Sequence, residues 1–132
     1  MMNTQYFNKA REPVVLAQDF YALIEWYERV LGFQRVQLID DAYRYAILEV
    51  PGKIRIGFGE AKQMGIEAPN PTHGTVRLQW EVQPLEAFME AFQAQSGTVV
   101  FGPSRDAADG YMYGAIRDIE GNEIWLVDEN CP

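Results

Sequence analysis

A chain of 132 residues has the length of one domain. With 48% hydrophobic and 13% aromatic residues it is globular and not disordered. Its net charge of −8 argues against a nucleic-acid partner, because holding phosphates takes clustered Lys and Arg.

Residues 12–18, EPVVLAQ, are short and β-branched, and they end at Asp19, a good helix N-cap. FYALIEWYERVLGF follows, with apolar residues at Phe20, Leu23, Ile24, Tyr27, Val30 and Leu31. That spacing predicts a helix stopped by Gly32. Trp26 sits slightly off the stripe, at a core edge or a dimer contact. Alternating runs at 33–39, 43–50 and 53–58 read as strands, separated by Asp40-Asp41 and by Pro51-Gly52. Residues 60–74 have no periodicity and are expected to be a linker. His73, the one histidine, falls there and reads as a solvated loop residue. The order then repeats. A strand is predicted at 75–82, then a helix from Pro84 to Ser96 with Leu85, Phe88, Met89 and Phe92 on one face and Gly97 as its stop. Strands are predicted at 98–102, 111–118 and 123–127, and GPSRDAADG at 102–110 is expected to be a mobile lid. Ser96 and Ser104 lack the context of a Ser-His-Asp triad. Cys131 is the only cysteine, so no intrachain disulfide forms and a reducing compartment fits. No signal peptide and no membrane span are expected, and the localisation predicted is cytoplasmic.

The chain is two copies of one β-α-β-β-β pattern. AYRYAILEVPGKIRI aligns with GYMYGAIRDIEGNEIWL, and Tyr43-x-Tyr45 falls on Tyr111-x-Tyr113, 68 residues on. Each unit has a sheet with one face covered by its helix and one bare, and two units can enclose a cavity between the bare faces. The fold class predicted is α+β. It comprises one domain of two βαβββ modules, at about 12–59 and about 75–128, forming a cupped, barrel-like mixed sheet with the helices outside.

The motifs VVLAQDFYALIEWYERVLGF, LQWEV and DIEGNEIWL, in this order, resemble the vicinal oxygen chelate superfamily: glyoxalase I, extradiol dioxygenases, fosfomycin-inactivating enzymes and bleomycin-resistance proteins. The resemblance implies paired βαβββ units and a homodimer, and it leaves function open because many chemistries share the scaffold. It also implies where catalytic members hold a divalent ion, on the first and last strands of each unit. Those positions here are read as Glu12, Arg55, Arg77 and Trp125. Arg and Trp offer a cation no lone pair, and one glutamate is not a site. No metal and no other cofactor is therefore expected, on a metal-free, bleomycin-resistance-like branch.

Strand alternation places Tyr43, Tyr45, Tyr111 and Tyr113 on the concave side with Trp125 and a Glu12/Arg55/Arg77 group. One reading is structural: the Glu–Arg pairs fill the space of a metal and hold the units in register. The other is an aromatic pocket for a small organic molecule, planar or acidic, met by stacking faces and a guanidinium fork. Two enzymatic alternatives stay open. One is a metal-dependent lyase or dioxygenase of the same superfamily; the other is a metal-free enzyme with Glu12 as general base.

Overall fold

The computed structural model describes residues 2–67, 70 and 74–132, and His73 lies outside the described residues. Module one runs β1 (Val14–Ala17), α1 (Phe20–Arg29), β2 (Gln34–Asp40), β3 (Arg44–Val50) and β4 (Ile54–Glu60). Module two runs β5 (Leu78–Glu81), α2 (Leu85–Ala94), β6 (Thr98–Arg105), β7 (Met112–Arg117) and β8 (Glu123–Val127). The α+β class and the duplicated β-α-β-β-β order are as the sequence predicts. Asp19 caps α1, its side chain accepting from the Ala22 N–H at 3.2 Å.

The strands form two four-stranded sheets, ordered β1-β4-β3-β2 and β5-β8-β7-β6. In each, the first strand lies parallel to the last, and the remaining pairs are antiparallel. The barrel-like surface expected from the sequence is not closed. β1 and β5 stand at sheet edges, and no ladder joins the sheets among the described residues.

Three other expectations are corrected. The segment predicted as linker contains the last residue of β4 and a 3-10 turn, Lys62–Met64, whose Met64 side chain lies over Gly59. α2 ends at Ala94, short of Ser96, because Ser96 takes the left-handed conformation with φ 64°. Gly97 is a glycine for a different reason: a Cβ there would stand 2.4 Å from the Phe92 ring. The lid expected at 102–110 is mostly strand. β6 continues through Arg105, and Asp106–Gly110 is a tied turn in which the Asp106 carboxylate accepts from the Ala108 and Asp109 N–H groups at 3.1 and 2.7 Å. Arg105 closes it by donating to the Gly110 carbonyl at 2.6 Å.

One apolar core serves both modules. Leu23, Ile24 and Tyr27 of α1 belong to the same buried cluster as Met89 and Phe92 of α2 and Ile124 and Leu126 of β8. Trp26 meets Phe92 edge-on at 6.0 Å, which makes it a core edge between the modules. The turn in DIEGN completes the join. Asp118 is buried and accepts from Tyr27 Oη at 2.8 Å, from the N–H groups of Glu120 and Asn122 at 3.0 and 2.9 Å, and from Asn122 Nδ2 at 2.8 Å. Glu120 reaches the entry of α1, its carboxylate accepting from the Gln18 and Asp19 N–H groups at 2.9 Å each. Module two thus grips the first helix of module one through a single turn.

Candidate functional site

Alternation along β4 and β8 sends Ile56, Phe58, Ile124 and Leu126 into the core, all fully buried. The opposite face of the same strands carries Arg55, Gly57 and Gly59 in module one, and Glu123, Trp125 and Val127 in module two. No helix covers it.

In module one, Arg55 stands between two carboxylates, its Nε 3.6 Å from Glu12 and its Nη1 3.2 Å from Glu49. Glu12 also meets Arg11 at 3.7 Å and accepts from Tyr45 Oη at 2.9 Å. The Tyr45 phenol gets there by lying across β4 at Gly57. A Cβ at Gly57 would stand 2.0 Å from the phenol oxygen, so only glycine leaves the room. The Glu12 carboxyl is held below its ordinary range by a backbone hydrogen bond within its own residue, then by the Tyr45 hydroxyl, with Arg11 and Arg55 adding to it and burial opposing. The Tyr45 phenol is pushed up to about 12 by burial and by its bond to Glu12.

In module two the central residue is an acid. Glu123 stands between Arg77 at 3.6 Å and Arg117 at 3.5 Å, and it accepts from Trp125 Nε1 at 2.8 Å. Arg77 is further held by donating from Nη1 to the Gly74 carbonyl, while its buried Nε has no hydrogen-bond partner among the described residues. Trp125 itself is 45% exposed.

Ladder register shows that Glu49–Arg55 and Arg117–Glu123 are matching cross-strand pairs, as are Ile47–Gly57 and Ala115–Trp125. The offset of 68 residues therefore runs unbroken through the second hairpin of each module. Glu123 is the counterpart of Arg55, and Gly57 is the counterpart of Trp125. The sequence reading had set Arg55 opposite Trp125, two residues out of register. The corrected set of first- and last-strand positions is Glu12, Gly57, Arg77 and Trp125. Among the described residues no three His, Cys, Asp or Glu side chains gather where they could hold a metal ion.

The residues selected from sequence do not gather round one cavity. Glu12, Tyr45 and Arg55 come together; Arg77 and Trp125 come together through Glu123. Tyr111 and Tyr113 form a separate group, with ring centroids 6.0 Å apart and Phe101 6.2 Å from Tyr113. Tyr43 precedes β3, is 48% exposed, and stands apart. Glu123, Gly57 and Phe101 were missed. The offset of 68 gives the first two; Phe101 had no signal beyond its place in a strand.

The seam between β1 and β5 opens at two places. An opening of about 350 Å3 is bordered by Lys53, Arg55, Arg77 and Leu78, and one of about 230 Å3 by Val14, Leu16, Arg77, Glu120 and Glu123. None of the tyrosines, nor Trp125, lines either.

Comparison with known proteins matches this architecture. Among solved structures, a member of the glyoxalase/bleomycin resistance protein/dioxygenase superfamily from Sphaerobacter thermophilus superposes with a TM-score of 0.78 at 17% identity, over 92% of this chain and 98% of that one. An integron cassette protein from the mobile metagenome of V. cholerae gives 0.68 at 23% identity, over 98% of both chains. A lactoylglutathione lyase from Agrobacterium tumefaciens gives 0.67 at 14% identity, over 93% and 96%. At such identities these likenesses establish the fold alone. No curated protein matches the sequence. The model of one family matches residues 11–126, nearly the whole chain, and the protein belongs to the Glyoxalase/Bleomycin resistance protein/Dioxygenase superfamily.

Proposed function

We propose that this chain is a metal-free, small-molecule binding member of its superfamily, working as a homodimer in the cytoplasm. The observation that carries the reading is Trp125, a large aromatic left 45% exposed on a sheet face that no helix covers, beside an Arg–Glu–Arg row. Half-exposed aromatics with convergent charges suit recognition of a planar or acidic organic molecule better than they suit core packing. The same face supports association, since a second copy laid over it would shelter Trp125 and the Phe101 cluster. The unpaired Cys131 suits a reducing compartment.

The residues at the metal positions do not fit a divalent ion. Glu12 is the only possible side-chain ligand among Glu12, Gly57, Arg77 and Trp125, and its oxygens are taken by Tyr45 and by two guanidinium groups. A metal-dependent lyase or dioxygenase is disfavoured on that ground. Glu12 as a general base is disfavoured too, because its lowered pKa makes it a weaker proton acceptor at neutral pH.

The test has two parts. Thermal shifts with Zn²⁺, Ni²⁺, Mn²⁺ and Fe²⁺ should leave the melting temperature unchanged; a rise that follows mass action would return the metal-dependent reading. A panel of aromatic acids should quench tryptophan emission in the wild type but not in Trp125→Ala. Equal quenching in a folded variant would remove Trp125 from the site.

A further inference from the structure

We infer that the seam opening bordered by Lys53, Arg55 and Arg77, between the β3–β4 turn and β5, takes an organic anion with an apolar body. The inference rests on the small-molecule reading above and gives that molecule its charge: its anionic end sits at the seam, where the lining residue Gln79 is the ladder partner of Trp125, and not on Trp125 itself. Three cationic side chains, Lys53, Arg55 and Arg77, border the opening, and among the described residues lining it there is no carboxylate. The chain as a whole has 19 acidic and 11 basic residues, so a border of this kind runs against its own surface. The rest of the lining is mostly apolar, Pro13, Ile54, Val76, Leu78 and Trp80, with one neutral polar residue, Gln79. Val76 is 88% exposed, an aliphatic side chain at the mouth with nothing packed over it.

The three cations are not equivalent. Arg55 is balanced by Glu12 and Glu49, and Arg77 by Glu123. Lys53 makes no ion pair among the described residues. It sits in the tight turn after β3, whose N–H at Lys53 returns to the Val50 carbonyl at 2.9 Å. Lys53 therefore supplies the uncompensated charge, and the exposed Arg55 guanidinium beside it supplies directional donors. Lys53 also borders a neighbouring space that contains Glu81, which repels an anion and turns it toward Arg55.

The duplication provides an internal control. The matching opening of module two is lined by Glu120, Asn122 and Glu123, with Glu123 at the register position of Arg55, and Arg77 borders both openings. The same backbone frame thus presents three cations and no carboxylate at one end of the seam, and two carboxylates with Arg77 at the other. A carboxylate or sulfonate finds the module-one end the more favourable.

The experiment is a pair of equilibrium titrations on the full chain. The probes are anilinonaphthalene sulfonate, which joins an apolar body to an anion, and the neutral phenylnaphthylamine. The sulfonate is expected to saturate at one per chain and to bind on the order of tenfold tighter than the amine, the gain of reversing or adding one or two part-screened charge contacts. Lys53→Glu, on an exposed turn where circular dichroism can verify the fold, should erase that preference and leave the amine unchanged. Lys62→Glu, the same charge change elsewhere, should leave both unchanged. Equal affinity for the two probes would overturn the anionic class while small-molecule binding survives. A preference that outlasts Lys53→Glu, or is lost equally in Lys62→Glu, would overturn the place. Absence of saturable binding by either probe would overturn both this inference and the proposed function.

Discussion

The two modules have the same backbone and opposite charges. On the uncovered face of module one the row reads Glu49, Arg55, Glu12; on module two it reads Arg117, Glu123, Arg77. Five residues separate the partners of the matching pairs Glu49–Arg55 and Arg117–Glu123, and the two connections do different work. In module two, DIEGN buries Asp118 under Tyr27 and sends Glu120 to the entry of α1. In module one, Val50 stands in the place of Asp118, and the turn leaves Lys53 at the mouth of an opening. One hairpin is a clasp between the modules and the other faces solvent. The chemistry of a duplicated fold is therefore to be sought where the copies differ.

The clasp offers the sharpest way to break that comparison. Asp118→Ala leaves the Tyr27 hydroxyl and two N–H groups without their acceptor in the interior, and should cost about 3 kcal/mol or more in denaturant unfolding. Val50→Ala, at the matching half-buried site, removes only apolar contact and should cost less than half as much. Equal losses would mean that the turn does not join the modules.

Gly57→Ala comes next. The added Cβ displaces the Tyr45 phenol, so the variant should lose about 1–3 kcal/mol. Combining it with Tyr45→Ala should return part of the loss, because the clash partner is gone. Failure of that rescue would show that Gly57 is needed by the backbone and not by Tyr45.

The pH dependence separates the modules more gently. Tyr45 has its folded pKa raised to about 12, so its contribution to stability is full below pH of about 10 and is lost as pH climbs through the folded value. Glu12 has its folded pKa lowered, so its contribution is present above the ordinary glutamate range and is lost as pH falls through the folded value. Tyr45→Phe should therefore flatten both the acid limb and the alkaline limb of a stability profile. The ultraviolet tyrosinate titration, wild type minus variant, should show a phenol ionising near 12; one ionising near 10 would remove the Glu12–Tyr45 contact from solution.

The smallest effect is expected at Arg77. Its partner is Glu123, which keeps Arg117 and the Trp125 N–H when Arg77 is lost. Arg77→Met should change stability by less than about 1 kcal/mol. A large loss would mean that Arg77 carries Glu12 after all, as the sequence alone had suggested.

Much of this was legible in the residues. Asp19, Gly32 and the apolar spacing between them mark α1, and the core positions Phe20, Leu23, Ile24 and Tyr27 were read correctly because helical periodicity is a local property. Strand alternation is local in the same way: it puts Trp80, Ile124 and Leu126 on the buried side of their strands. The site was less legible. Pairing Arg55 with Trp125 was an error of two residues, which alternation cannot detect because it preserves the face. Nor could it show that Tyr111 and Tyr113 pack with Phe101 at one end of the sheet while Tyr45 reaches back to Glu12.

The sequence by itself determined the duplication, the superfamily, the class of fold and which residues turn inward. These follow from periodicity, capping and turn chemistry, which act over a few residues and leave their mark on the chain. Only the tertiary structure decided that Arg77 answers Glu123, that Asp118 holds Tyr27, and that Lys53 stands at the seam with no ion-pair partner among the described residues. Those facts depend on strand register and on how two sheets meet, where a shift of two residues keeps every side chain on its face and changes every neighbour.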